Sequence, residues 1–220
     1  MSMRKINFAP GEYYHIYNRG NSKQKIFNNK EDYQRFIFLL FVSNTSENSR
    51  FFNLYRNSHL DLFKIDRKDT LVDIGAYSLM PNHFHILIKE KDEGNITKFM
   101  QKLSTAYVMY YNQKYKRTGS LFEGRFKSQH ANTDRYLKYL FSYIHLNPIK
   151  LLQKDWKEKG IQNIEKSFIF LDSYKFSSLV DYMGDYRPES KILEKSSFPE
   201  YFTNSSEIKE ELLEWLEFDM

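Results

Sequence analysis

The sequence predicts an α+β fold: a ferredoxin-like antiparallel sheet with helices packed on one face, followed by a C-terminal helical extension. Three observations carry this expectation. Side chains alternate between two faces over residues 12–19, with Tyr13, His15 and Tyr17 on one side and Tyr14 and Ile16 on the other. Ile96, Phe99, Met100, Leu103, Tyr107, Tyr110 and Tyr111 recur at helical spacing. The elements run strand, helix, strand, strand, helix, strand, helix, an order that suits an antiparallel sheet backed by helices.

In chain order, the first strand ends in the turn Gly20-Asn21-Ser22. Asn29, with Asp32 in the first turn, is the expected N-cap of a helix that reaches Val42. Residues 43–70 are polar, with a short helix expected at 51–55. A second strand spans 71–79, and Met80-Pro81-Asn82 turns it directly into a third at 83–88, a hairpin with Pro81 at its corner. Gly94-Asn95 opens the long helix, and Gly119 closes that unit. Residues 121–131 read as a loop entering another strand. Asn132 or Thr133 then caps a helix to about Leu146, where Asn147-Pro148 stops it. Beyond it lie Trp156, an aromatic stretch at 168–186, and a terminal amphipathic helix with Ile208, Leu212, Trp215 and Leu216 on one face. The expected organisation is a unit at 1–150 and an acidic, mostly helical extension at 151–220, with no internal repeat.

Hydrophobic residues make up 41% of the chain, enough for a substantial core. The absence of cysteine excludes disulfides and thiolate metal sites. The longest apolar run, 36–42, is far too short for a membrane helix, and residues 1–7 lack a secretory apolar stretch. A cytoplasmic protein with no membrane partner is therefore expected. Net charge is only +5, but residues 1–150 hold 24 Lys+Arg against 13 Asp+Glu, whereas 151–220 hold 9 against 15. A body at +11 with a tail at −6 points to a polyanionic partner for the body.

His83-Phe84-His85 is the most informative motif. On a strand both imidazoles share one face while Phe84, Ile86 and Ile88 share the other, so one side is core and the other offers metal ligands or hydrogen-bonding groups. On the helix at 133–146, residues four apart are neighbours. Tyr136 meets Leu140 and Tyr139 meets Tyr143, whereas Tyr143 meets Asn147, whose amide oxygen is able to ligate a cation. Spacing alone leaves open that Tyr143 is a core aromatic and Asn147 a helix-ending residue.

Three separated strings now occur in order: Tyr77-Ser78-Leu79-Met80-Pro81-Asn82-His83-Phe84-His85, then Gly119-Ser120-Leu121-Phe122-Glu123-Gly124-Arg125-Phe126, then Tyr143-Ile144-His145-Leu146-Asn147-Pro148. With Tyr14-His15-Ile16-Tyr17-Asn18-Arg19-Gly20, they resemble the single-tyrosine HUH transposases, closest to the REP-associated branch, over residues 8–150. The resemblance implies that His83 and His85 ligate a catalytic divalent ion, Mg2+ or Mn2+, with Asn147 as third ligand. Tyr143 is then the nucleophile. Ligand softness alone would have favoured zinc for two imidazoles. The implied reaction cuts and joins DNA strands through a 5′-phosphotyrosine, leaving a free 3′-hydroxyl. The implied substrate is single-stranded or hairpin-flanked DNA, in a bacterial type of cytoplasmic protein acting alone or as a homodimer. Arg125 and Lys127 are the expected phosphate contacts, with Lys89 and a base-stacking Phe122 as weaker candidates. His15, His130 and His145 are expected to be structural. Two other readings stay open: a non-catalytic or domesticated binder of repeat-derived DNA hairpins, and a zinc hydrolase for which Tyr143 is dispensable.

Overall fold

Four strands, β1 (Tyr13–Arg19), β2 (Val72–Met80), β3 (His83–Glu90) and β4 (Lys127–His130), pair antiparallel throughout in the order β2-β3-β1-β4. The strand that comes first in the chain thus lies inside the sheet, the ferredoxin-like arrangement expected from the element order. This computed structural model describes residues 7–46, 62–64, 66–184, 186–201 and 205–217, so the short helix expected at 51–55 lies outside the described residues.

Helices α1 (Lys30–Val42) and α2 (Asn95–Lys114) cover one face of the sheet. Tyr14, Ile16, Phe84, Ile86 and Ile88 meet Phe36, Leu40, Phe99, Leu103 and Tyr107 in a single apolar cluster. Alternation selects the strand residues, and helical spacing selects Phe99, Met100, Leu103 and Tyr107 on α2. Asn29 caps α1 as its sequence requires: its side-chain oxygen accepts from the Asp32 N–H at 3.2 Å, and the Asp32 carboxylate accepts from the Asn29 N–H. Asp32 is fully buried and also accepts from Tyr115 Oη at 2.7 Å, Tyr110 Oη at 2.9 Å, Lys114 Nζ at 2.7 Å and the Asn28 N–H at 2.8 Å. Burial pushes this carboxyl up, but Lys114 and the other donors hold it below the usual carboxylate range. The network ties the start of α1 to the end of α2. Asp32→Ala would strand those donors and is expected to lower stability by about 3 kcal/mol, read from urea unfolding.

The last core helix does not share that face. Helix α3 (Asp134–Leu146) starts at Thr133, whose hydroxyl accepts from the Tyr136 N–H at 3.2 Å. It lies on the opposite side of the sheet, where Leu137, Leu140, Phe141 and Ile144 pack on Ala76, Leu87 and Ala131. The physical reason is two-sided burial: β2 is buried at every position, and β3 carries apolar Leu87 on its histidine face. A sheet apolar on both sides needs a layer on each. The α-helix ends at Leu146 as expected: Asn147 is its C-cap (φ −53°, ψ −36°), and residues Asn147–Leu151 tighten into a 3-10 turn that accommodates a proline near its start.

The extension adds α4 (Trp156–Lys159), α5 (Ile164–Ser173), α6 (Leu179–Tyr182) and α7 (Ser205–Glu217). Trp156, Leu171, Leu179, Ile208 and Leu212 form one cluster with Leu146 and Ile149. Ile208 and Leu212 therefore face inward as expected; the side chains of Trp215 and Leu216 lie outside the described ones. Residues 176–178 and Glu194 lie beside β2, where the Leu79 N–H donates to Phe176 O at 3.0 Å, the Ser178 N–H to Tyr77 O at 2.9 Å and the Glu194 N–H to Ile74 O at 2.9 Å. This covers an edge that would otherwise be free to pair with another chain. At Gly75 a Cβ would come within 2.6 Å of the Phe198 ring, so the bare backbone is what admits that ring. Among the described residues, no helix is long and apolar enough to cross a membrane.

Candidate active site

The β2–β3 turn fixes where the histidines start. Pro81 O accepts from the Ile26 N–H at 2.8 Å, and Asn82 O accepts from the Gly20 N–H at 2.8 Å, so the turn is pinned from two directions. His83 and His85 then leave β3 on the face away from α1 and α2, opposite Arg19 and Tyr17 of β1. That is the face α3 covers. A cleft of about 570 Å³ opens there, and His83, His85, Tyr143, Asn147 and Lys127 all line it.

Each imidazole is held through Nδ1. Asn82 Oδ1 lies 2.7 Å from His83 Nδ1, and His15 Nε2 lies 2.8 Å from His85 Nδ1. Asn82 Oδ1 is the nearer of the two amide oxygens facing the His83 ring, so Nδ1 is the nitrogen better placed to donate. The other nitrogen, Nε2, lies 3.4 Å from Asn147 Oδ1. A cation bound between them would meet a ring nitrogen from one side and an amide oxygen from the other. Holding Nδ1 to orient Nε2 is also the usual support of a metal-binding histidine. The residues thus fit a divalent ion held by His83, His85 and Asn147.

Burial keeps the rings neutral. It pushes His83 and His15 down to about 4 and His85 well below its ordinary value, with the charge of Lys157 adding to each. Neutral imidazole is the form that ligates. His145, buried against Ser178 Oγ at 2.8 Å, is pushed down to about 3 by burial. The consequence for stability has a definite sign. In the unfolded chain these rings protonate near 6.5, whereas in the fold they resist protonation until about 4 or below. Acid therefore favours unfolding, by up to about 1.4 kcal/mol per pH unit for each ring. The urea midpoint of the metal-free protein is expected to fall steeply from pH 6.5 to 4 and to be flat from 7 to 8.

Tyr143 is half-buried on α3, one turn before Asn147. Its ring lies edge-on to His85 with centroids 5.6 Å apart, and stacks on Tyr139 at 5.8 Å. Lys157 Nζ sits 3.9 Å from its centroid. The structure thus brings together His83, His85, Tyr143, Asn147 and Lys127. Arg125 is exposed but does not line the cleft. Phe122 cannot stack on a base: it is buried in the α1–α2 core, edge-on to Phe84. Lys89 reaches Ser197 O at 3.4 Å and lies over Tyr13, away from the cleft. His15 is structural, but its bond to His85 gives it a share in the site. His130 binds Glu12 at 2.7 Å on the surface.

Sequence reasoning missed the lysines at one wall of the cleft, Lys150, Lys154 and Lys157. Their spacing of four and three was a visible signal, hidden by the acidic sum of the segment around them.

A family model described as "Transposase IS200 like" matches residues 10–147. Comparison with curated proteins gave no match. Among solved structures, a chain described as a REP-associated tyrosine transposase bound to a REP hairpin aligns at 13% identity. The alignment covers 86% of this chain and 90% of that one, with a TM-score of 0.47.

Proposed function

The chain belongs to the IS200-like transposase family, and from that premise we propose that it cuts and rejoins single-stranded or hairpin-flanked DNA, with Tyr143 as nucleophile. The observation that carries this reading is the placement of Tyr143: its ring meets His85 at 5.6 Å, one helical turn from an Asn147 that itself faces His83.

In the proposed reaction the Tyr143 oxygen attacks the scissile phosphorus and its proton passes to solvent. The bond from phosphorus to the 3′ oxygen breaks, and that oxygen takes up a proton. One phosphodiester is exchanged for another, so a second 3′-hydroxyl is able to reverse the step and join strands without ATP. A phenol with a pKa near 10 is a weak nucleophile and depends on such placement. Stacking on Tyr139 and the edge contact to His85 hold the ring in one orientation, which removes part of the entropic barrier. His83 and His85, through Nε2, and Asn147, through Oδ1, are the proposed ligands of Mg2+ or Mn2+. When bound, that ion polarises the phosphate and offsets charge on its oxygens. Lys127 is the proposed phosphate contact. All four proposed catalytic and ligating residues come from one chain, so a single copy suffices to assemble the site.

The test incubates the protein and Mn2+ with hairpin-flanked oligonucleotides labelled at the 3′ terminus, followed by a denaturing gel. A labelled fragment shifted by the mass of the protein is the expected result. Cleavage without that shift would mean hydrolysis, and binding without cleavage a DNA-binding module; either overturns the proposal.

A further inference from the structure

We infer that Lys150, Lys154 and Lys157 form a phosphate-binding wall for single-stranded DNA, in which Lys157 contacts the phosphate attacked by Tyr143. The inference rests on the function proposed above and extends it to a segment outside the family match, which ends at 147.

The three lysines follow the turn that leaves α3. Ile149 and Trp156 are buried in the third apolar cluster, which fixes the course of the segment, while all three lysines are exposed and line the cleft. Lys23 and Lys127 line the cleft from other elements, and no carboxylate lines it among the described residues. Arg19 also lines it, but its guanidinium is paired with Glu123. None of the three wall lysines takes part in an ion pair among the described residues. Such a wall has no fold-level reason to be basic, since the extension that carries Lys154 and Lys157 is acidic in sum.

Lys157 is singled out by position. Its Nζ sits 3.9 Å from the centroid of the Tyr143 ring, so the flexible stem brings a positive charge to the nucleophile from the side of the extension. Its charge is felt by His15, His83 and His85 after the effect of burial, which places it within electrostatic reach of the proposed ligands. A phosphodiester lying between Tyr143 and the histidines would meet this ammonium. The chemistry asked of it is charge neutralisation, with no bond made or broken at nitrogen.

The test compares wild type, Lys157→Gln, Lys157→Arg and the double variant Lys150→Gln/Lys154→Gln. Affinity for poly-dT is measured against salt, and adduct formation is measured at saturating cleavable oligonucleotide. Each lost phosphate contact on a single strand reduces the slope of log affinity against log salt by about 0.7. The expected reduction is about 0.7 for Lys157→Gln and about 1.4 for the double variant. Lys157→Gln should also slow adduct formation about a hundred-fold, the size of effect seen for a lost charge-stabilising donor. Lys157→Arg, which keeps the charge, should retain both properties. Unchanged slopes in every variant overturn the wall. An unchanged rate in Lys157→Gln overturns its contact with the attacked phosphate. If wild type forms no adduct but the slopes shift as stated, the tyrosine reading fails and the wall is supported.

Discussion

Tyr143→Phe is expected to abolish the covalent protein–DNA adduct, lowering cleavage by about four orders of magnitude while DNA binding changes less than threefold. The substitution is clean because everything the ring does is kept. Phenylalanine retains the stack on Tyr139, the edge contact to His85 and a face for Lys157. Only the hydroxyl is lost, and with it the sole atom on that ring able to attack phosphorus. A ten-thousand-fold loss corresponds to about 5.4 kcal/mol of activation free energy, within what removal of a nucleophile costs. Single-turnover cleavage of 3′-labelled DNA measures the rate, and salt-matched binding measures the affinity. Residual adduct near the wild-type level would point to Tyr139 or Tyr136, which stack in series behind Tyr143 on the same helix. Residual cleavage without adduct would point to water.

Much of this arrangement was legible in the chain because local rules and global packing agree. Alternation holds at the two cores, with Tyr14, Ile16, Phe84, Ile86 and Ile88 in one cluster and Tyr13 and Leu87 in the other, and Asn29 caps α1 with the partner three residues on that the sequence shows. The pairing of Tyr143 with Asn147 needed only helical geometry. What failed were statements that require knowing which surfaces meet. The side of the sheet taken by α3 was written in Leu87 and Ala76, apolar residues on the histidine face that need a cover. A His-bearing face invites reading as open, and that obscured the demand. His15 was separable from other surface histidines only through the β1–β3 register, which sets Tyr17 opposite His85 and His15 opposite Leu87 and so lets the imidazole reach across. Register is a tertiary quantity and no single strand contains it. Phe122 shows the converse: a motif neighbour of Arg125 in sequence, it is buried in the core under α1 and α2 while Arg125 is exposed. Lys154 and Lys157 were lost in a sum over residues 151–220, most of whose acids lie beyond residue 160.

His83→Ala is expected to raise the Mn2+ dissociation constant by more than about a hundred-fold and to abolish cleavage at millimolar Mn2+, with single-stranded DNA binding retained without the ion. His83 Nδ1 lies 2.7 Å from Asn82 Oδ1 and is the nitrogen better placed to donate. Its Nε2 is then turned toward Asn147 Oδ1 at 3.4 Å, where the two would meet a bound cation together. Alanine removes one of the three proposed ligands and would leave only the His85 imidazole and the Asn147 amide to hold the ion. His83 is also the less buried of the pair and sits beside a turn held by backbone bonds from Gly20 and Ile26, so its loss should leave the fold standing. His145→Gln supplies the contrast. That ring is two residues beyond Tyr143 and fully buried, yet it points to Ser178 rather than to the cleft. Its replacement should lower thermal stability and leave Mn2+ affinity, read by electron paramagnetic resonance, within twofold of wild type. If both substitutions weaken Mn2+ equally, the ion is answering to the stability of α3 and its surroundings, and the ligand assignment for His83 fails. If only His83→Ala does, the imidazole itself is in the coordination sphere.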